Sequence, residues 1–210
     1  MESLSQMNPE WISAIANGVT AIGVFLAWAQ IRTMNVQTLA INKQAKDDHE
    51  RSRREKAVAL LAQWSSSLTH KSSITRKLVE TMDEHQSRDL FKQNSISMRD
   101  DQKALTSTAV PNWDASSKKL TEKESTEVRW VTVSYLNALE SVLASWRHNV
   151  ADRAILEEQF GYLVSHEEGH FILERFRVAS GGDKTFPAIG EFANHIRDSR
   201  KTPAPGKPPL

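Results

Sequence analysis

The chain has 210 residues, 39% of them hydrophobic, with 27 Lys and Arg set against 26 Asp and Glu and no cysteine. That length accommodates one modest domain plus appendages. The even charge balance argues against a nucleic-acid binder working through a broad basic surface, so no nucleic-acid partner is expected. The lack of cysteine excludes a disulfide framework, a thiolate nucleophile and a cysteine-ligated zinc site.

Residues 1–10 contain Glu2 and Glu10 and no Lys or Arg, and residues 11–31, WISAIANGVTAIGVFLAWAQI, contain no charge at all. As a helix this run is about 30 Å long, enough to cross a hydrocarbon core. Trp11 and Trp28 stand near its ends, where indole rings favour the headgroup level. The segment is therefore predicted to be a single transmembrane helix. A buried core helix is the competing reading, because Asn17, Gly18, Thr20 and Gly23 dilute its apolar character. Ala27-Trp28-Ala29 has the form of a signal-peptidase site, but a cleaved signal calls for a basic start that is missing here. Arg32, Lys43, Lys46, Arg51, Arg53, Arg54 and Lys56 all follow the segment, and basic excess marks the cytoplasmic flank. The predicted orientation is N-out and C-in, with residues 1–10 extracytoplasmic and membrane lipid as a partner.

Residue size is sorted by face within the segment. Ile12, Ile15, Val19, Ile22 and Leu26 form a bulky stripe, while Ala14, Gly18 and Ala21, flanked by Asn17, lie opposite. Small residues let helix backbones approach closely in a bilayer, and an Asn there can bond to a neighbouring copy. Ala14, Asn17, Gly18 and Ala21 are accordingly the predicted membrane-helix packing face of a homo-oligomer.

Residues 32–56 lack Pro and Gly and turn strongly polar from Asn42. Pairs such as Asp47 with Arg51 and Glu50 with Arg54 support a solvated helical stalk. The RSRREK run is near the inner-leaflet surface in this reading, although interspersed acids weaken it as a basic patch.

Residues 57–198 are predicted to be a helical cytosolic domain. Val58, Leu61, Trp64 and Leu68 repeat at helical spacing, with Leu78, Val79 and Met82 continuing it in one helix or two. Residues 83–119, rich in Ser, Thr, Asn and Asp around Pro111, are read as an irregular connection with at most short helices. Thr121 and Glu124 form a capping box ahead of Val128, Val131, Tyr135, Leu139, Val142 and Trp146, which line one face of a long helix. Asp152 is placed to cap a shorter helix carrying Leu156, Phe160 and Leu163; another holds Ile172, Phe176 and Ala179 and ends at Gly181-Gly182. A last helix runs from about Pro187 to Ile196, and residues 199–210 end in the Pro-rich TPAPGKPPL, read as a disordered tail. No convincing strand appears, so the fold class is all-α: a transmembrane helix, a helical stalk and an irregular helical bundle.

One catalytic motif matches by spelling. His166-Glu167-Glu168-Gly169-His170 is H-E-x-x-H, which on a helix sets two imidazoles one turn apart for zinc and places the first Glu beside a bound water. His166, Glu167 and His170 are thus the alternative metal site, with Glu191 as an imaginable third ligand. Against it, Gly169 weakens the helix, Glu168 is charged, and Ser165 with Glu168 already forms a capping box. Phosphate loops and nucleophile elbows have no local representative. Adjacent acids at Glu157-Glu158 and Glu167-Glu168 are read as solvated faces, and Trp130, Tyr135 and Trp146 as core. His70, His85, His148 and His195 lack ligand spacing. No catalytic residue, resident metal or cofactor is assigned.

The opening EWISAIANGVTAIGVFLAWAQI, the charged stalk and the block VSYLNALESVLASWRHNVADRAILEEQFGYLV resemble an uncharacterised bacterial family of small membrane-anchored proteins with a helical cytosolic domain. In that family an aromatic-rich helix bearing an Asn and a Glu three apart, here Asn137 and Glu140, precedes a polar turn and an I-x-E-E-x-F-like helix. The resemblance implies this architecture and an address in the bacterial inner membrane, and no activity. The reading that results is a membrane-anchored interaction protein binding a protein partner or its own copies, as a sensor or effector in a bacterial stress or phage-defence system. A small oligomeric pore, motivated by Asn17 and Thr20, and a zinc metallopeptidase through HEEGH are the alternatives.

Overall fold

The computed structural model describes residues 9–164 and 172–201, with side chains described from Asn17 onward except those of Ala21 and Lys201. Eight α-helices are present among the described residues: α1 (Pro9–Ser67), α2 (His70–Thr81), α3 (Glu84–Lys92), α4 (Lys103–Ala109), α5 (Glu122–Arg147), α6 (Arg153–Phe160), α7 (Glu174–Ala179) and α8 (Pro187–Lys201). A ribbon of two very short strands, β1 (Ile96–Ser97) and β2 (Lys119–Leu120), pairs antiparallel with Ile96 opposite Leu120. The protein is all-helical in class, as its periodicity predicts.

The chain divides between Arg51 and Ser52 into two compact units, and α1 carries residues of both. Pro9 stands at its first position, where a missing N–H costs nothing, and no proline follows within the helix. The helix ends in a serine run. Ser66 Oγ donates to Gln63 O at 2.8 Å and Ser67 Oγ to Trp64 O at 2.7 Å, local bonds that compete with the helical ladder. Thr69 then restarts the chain as the cap of α2, in a reciprocal box with Ser72. The amphipathic stretch is therefore two helices.

In the first unit, Val19, Ile22, Val24, Phe25, Leu26, Trp28, Ile31, Met34, Val36, Leu39 and Ile41 are all more than half exposed. Among the described residues, no helix is long and apolar enough to cross a membrane. The part of the uncharged run with described side chains, residues 17–31, is shorter than the ~20 residues a spanning helix needs.

The second unit holds the core. Its centre is α5, whose Val128, Tyr135, Leu136, Leu139, Val142, Leu143 and Trp146 are buried, with Val131 half-buried beside them. The end of α1 adds Ala57, Leu60 and Trp64, and α8 adds Ile189, Phe192, Ala193 and Ile196. The buried face of α1 is rotated from the one predicted: Val58 is 59% exposed and Leu68 38%, while Leu60 takes a core position. Trp64 packs with ring centroids 5.2 Å from Tyr135 and 5.7 Å from Phe160. Both local caps form as read. Thr121 Oγ1 accepts from Glu124 N, and Asp152 Oδ1 accepts from Ala154 N at 3.0 Å and Ile155 N at 3.3 Å.

Residues 83–119 contain short helices, as predicted, but also contribute side chains to the core. Leu90, Ile96, Met98, Val110, Trp113 and Leu120 are buried. Two buried glutamines organise the stretch: Gln86 Nε2 donates to Ser97 O (2.7 Å) and to Gln102 Oε1 (3.0 Å), and Gln102 Nε2 donates to Thr81 O (3.1 Å). The pair fastens the end of α2, the start of α3, the ribbon and α4 together. A third long-range clasp involves Glu140, whose carboxylate accepts from Ala188 N at 2.8 Å and Ile189 N at 3.0 Å and so caps α8 from the middle of α5.

Candidate functional site

The residues singled out in the sequence fall into three groups. Asn17 and Gly18 of the predicted packing face are exposed on α1, and a Cβ added at Gly18 would meet nothing within 4 Å. The side chains of Ala14 and Ala21 lie outside the described residues. So do His166, Glu167 and His170 of the H-E-x-x-H sequence, together with its capping pair Ser165 and Glu168. Among the described residues, no group of three or more His, Asp or Glu is placed to hold a metal ion. Glu191, the imagined third ligand, instead pairs with Arg147 Nη2 at 2.8 Å.

The dominant surface of the first unit is the apolar side of α1 around Trp28. Phe25 and Trp28 have centroids 6.0 Å apart, and the Arg32 guanidinium lies 5.7 Å from the Trp28 ring. An arginine stacked on the last indole of an uncharged run is the arrangement that suits a membrane interface, with the ring at headgroup depth and the cation toward water. Thr33 and Thr38 turn their hydroxyls back onto the helix, donating to Ala29 O (2.9 Å) and Met34 O (2.8 Å). Exposed Gln30, Arg32, Asn35 and Gln37 are interspersed with the apolar residues here.

In the second unit, a groove of about 280 Å³ runs between the α1–α2 corner and α5. Trp64, Leu68, Trp130, Val131, Tyr135 and Ala138 supply its apolar lining, and Ser67, Ser72 and Ser134 its polar edge. Trp130 departs from the core role predicted for it: at 71% exposure it stands on the surface at the lip of this groove. Its neighbours on the helical face explain why. Thr132 and Val128 turn inward on α5 and leave position 130 on the far side. Tyr135 forms the floor, and burial above all pushes its phenol well above the ordinary range. Arg76 opposes that rise, while Tyr162 and Glu80 add to it. Arg76 and Glu80, one turn apart on α2, pair through two bonds of 2.7 and 2.8 Å with both side chains 12% exposed.

A third cluster joins α5, α6 and α8. Trp146 Nε1 donates to Glu157 Oε1 at 2.8 Å, His195 Nε2 lies 3.1 Å from the same oxygen, and the Arg153 guanidinium sits 4.2 Å from the Trp146 ring centroid. Glu157, read as part of a solvated face, is thus a structural acceptor that orients a core tryptophan. No signal local to Glu157-Glu158 separates that role from solvation.

Comparison with known proteins gives no match: no family model, no curated protein and no solved structure is similar to this chain. What the site can do chemically therefore rests on its own geometry. Apolar docking along α1 and at the Trp130 groove is available, and among the described residues no acid–base or nucleophile pair is assembled in either place.

Proposed function

We propose that the protein is a membrane-anchored helical interaction protein of the bacterial inner membrane. In this reading residues 11–31 cross the bilayer N-out and C-in, residues 32–56 form a stalk, and the helical domain binds a protein partner or further copies of the chain. The observation that carries it is the apolar surface of α1, where Val19, Ile22, Val24, Phe25, Leu26, Trp28 and Ile31 are each more than half exposed. A helix with bulky apolar residues around its circumference is stable only against lipid or protein, because apolar surface left in water costs about 25 cal/mol per Å². Seven basic residues between Arg32 and Lys56 supply the orientation. The aromatic lip of the Trp130 groove fits the second half of the reading, since exposed tryptophan beside an apolar cleft is typical of contact surfaces.

Reporter fusions at Leu210 test the proposal. A reporter active only in the periplasm should be silent there, while one active only in the cytoplasm should be fully active in cells and sediment with the membrane fraction. Periplasmic activity, or a soluble cytoplasmic fusion, overturns the anchor and its orientation.

A further inference from the structure

Among the described residues nothing covers the groove between the α1–α2 corner and α5, which Trp64, Leu68, Trp130 and Tyr135 line. Trp130 at its lip is 71% exposed and Leu68 38%, apolar surface that water solvates poorly. Trp130 and Ser134 stand one turn apart on the same side of α5, and neither the indole N–H nor the hydroxyl makes a hydrogen bond among the described residues. Flat aromatic rings with donors beside them suit a polyproline II strand. Its pyrrolidine rings dock on aromatic side chains, and its carbonyls, unbonded within the strand, accept from donors on the partner surface.

The end of α8 brings such a strand to this place. His195 Nε2 lies 3.1 Å from Glu157, and further along Arg200 Nη2 donates to Gly161 O at 3.2 Å, so α8 runs beside α6 in the same direction and finishes at the Phe160–Gly161 junction. The Phe160 ring is 5.7 Å from that of Trp64, which in turn is 5.2 Å from Tyr135 on the groove floor. Tyr162, 44% exposed, follows Gly161 directly and acts electrostatically on Tyr135. The chain therefore leaves α8 at one end of the aromatic surface. Residues 202–210, outside the described residues, read TPAPGKPPL, with Pro205 and Pro208 three positions apart, which is one polyproline turn. In that form they reach about 28 Å at ~3.1 Å per residue, whereas the α5 wall from Trp130 to Ala138 is only about 12 Å long at ~1.5 Å per residue. We propose that residues 202–210 lie in the groove of their own chain as a polyproline II strand, with Pro205 and Pro208 against the aromatic lining and the far end at Trp130.

Tethering decides the occupant. A segment joined to the domain this close to the groove acts at an effective concentration on the order of 1 mM, so a contact too weak to hold a free peptide is populated in cis. The contact stands apart from the membrane and partner readings. Its consequence for them is that a partner entering the groove must displace the tail.

The chain has no cysteine, so Lys207→Cys gives a single attachment point for bimane, a fluorophore quenched by contact with tryptophan. On the full chain in detergent the label should be quenched relative to the same label on a free peptide of residues 202–210. Trp130→Phe, at an exposed position that the core does not use, should recover most of the emission by removing the quencher. Pro205→Ser together with Pro208→Ser should recover it with Trp130 in place, because a tail that merely collides with the ring is quenched whether or not it holds those prolines. Labelled chain carrying Trp130→Phe should stay bright when mixed with excess unlabelled native chain. The inference is overturned if the labelled full chain is as bright as the free peptide, if quenching survives Trp130→Phe or the paired proline substitutions, or if the mixture is quenched, which puts the tail on a neighbouring copy.

Discussion

Removing the Glu140 carboxylate should release the start of α8. Pro187 has no N–H, Gly190 N donates to Phe186 O at 3.1 Å, and the two remaining orphan amides, Ala188 and Ile189, both end on Glu140. Ala188 is 1% exposed and Ile189 fully buried, so water has poor access to either N–H once the carboxylate is gone. An unsatisfied buried donor costs about 1–3 kcal/mol, and a negative charge at a helix N-terminus adds about 0.3–1 kcal/mol. Allowing for partial relaxation, Glu140→Ala should lose about 3 kcal/mol, which for a protein of this size is a fall in Tm of roughly 6–12 °C. Glu140→Gln retains one acceptor oxygen and the packing of the side chain, and should lose about 1–1.5 kcal/mol. Urea titration of the full chain, followed by helical circular dichroism at fixed detergent, measures both. A loss below about 0.5 kcal/mol for Glu140→Ala, or equal losses for the two variants, would refute the assignment of α8 capping to Glu140.

Tyr135 gives a pH test. Its folded pKa is raised by burial above the ordinary value of 10.0, so below that pH both folded and unfolded forms are protonated and stability is complete. As pH rises further, the unfolded chain sheds a proton that the folded one keeps, and stability falls; wild type should therefore lose more stability than Tyr135→Phe between pH ~9.5 and ~11. Parallel pH profiles would remove the buried phenol from the account. For assembly, Gly18→Ile should lower the oligomeric state in detergent by blocking close backbone approach, whereas Ile22→Leu on the bulky stripe should not. Analytical ultracentrifugation separates the two, and equal behaviour would discard the Ala14, Asn17, Gly18 and Ala21 face.

What could be read ahead of the structure was what is encoded locally. The Thr121–Glu124 box, the Asp152 cap and the inward face from Val128 to Trp146 each depend on residues within a few turns of one another. The stretch 83–119 looked connective because its cohesion is polar and distant: Gln86 meets Gln102 across 16 positions and Gln102 meets Thr81 across 21. Glu140 reaches its amides 48 and 49 positions away, beyond any capping pattern. Trp130 was misplaced for a different reason. Aromatic residues at helical spacing pack inward by default, and only the neighbouring inward set on α5 shows that position 130 falls outside it.

The fastening of Arg53 to the α5–α6 turn has a consequence for biosynthesis. Its side chain bonds to Asn149 and Ala151 O, and its carbonyl accepts from Asp152 N at 3.1 Å, joining positions 96 to 99 residues apart. At about 5–20 residues per second, the ribosome delivers those partners roughly 5–20 s after Arg53 itself. For most of that interval Leu60 and Trp64 have been made while Tyr135 has not, and Phe160 follows only after it, so the last turns of α1 wait without the partners that bury them. A nascent chain in this state is at its most exposed to chaperones, proteases and other copies on neighbouring ribosomes, and it closes only when the second half of the domain arrives.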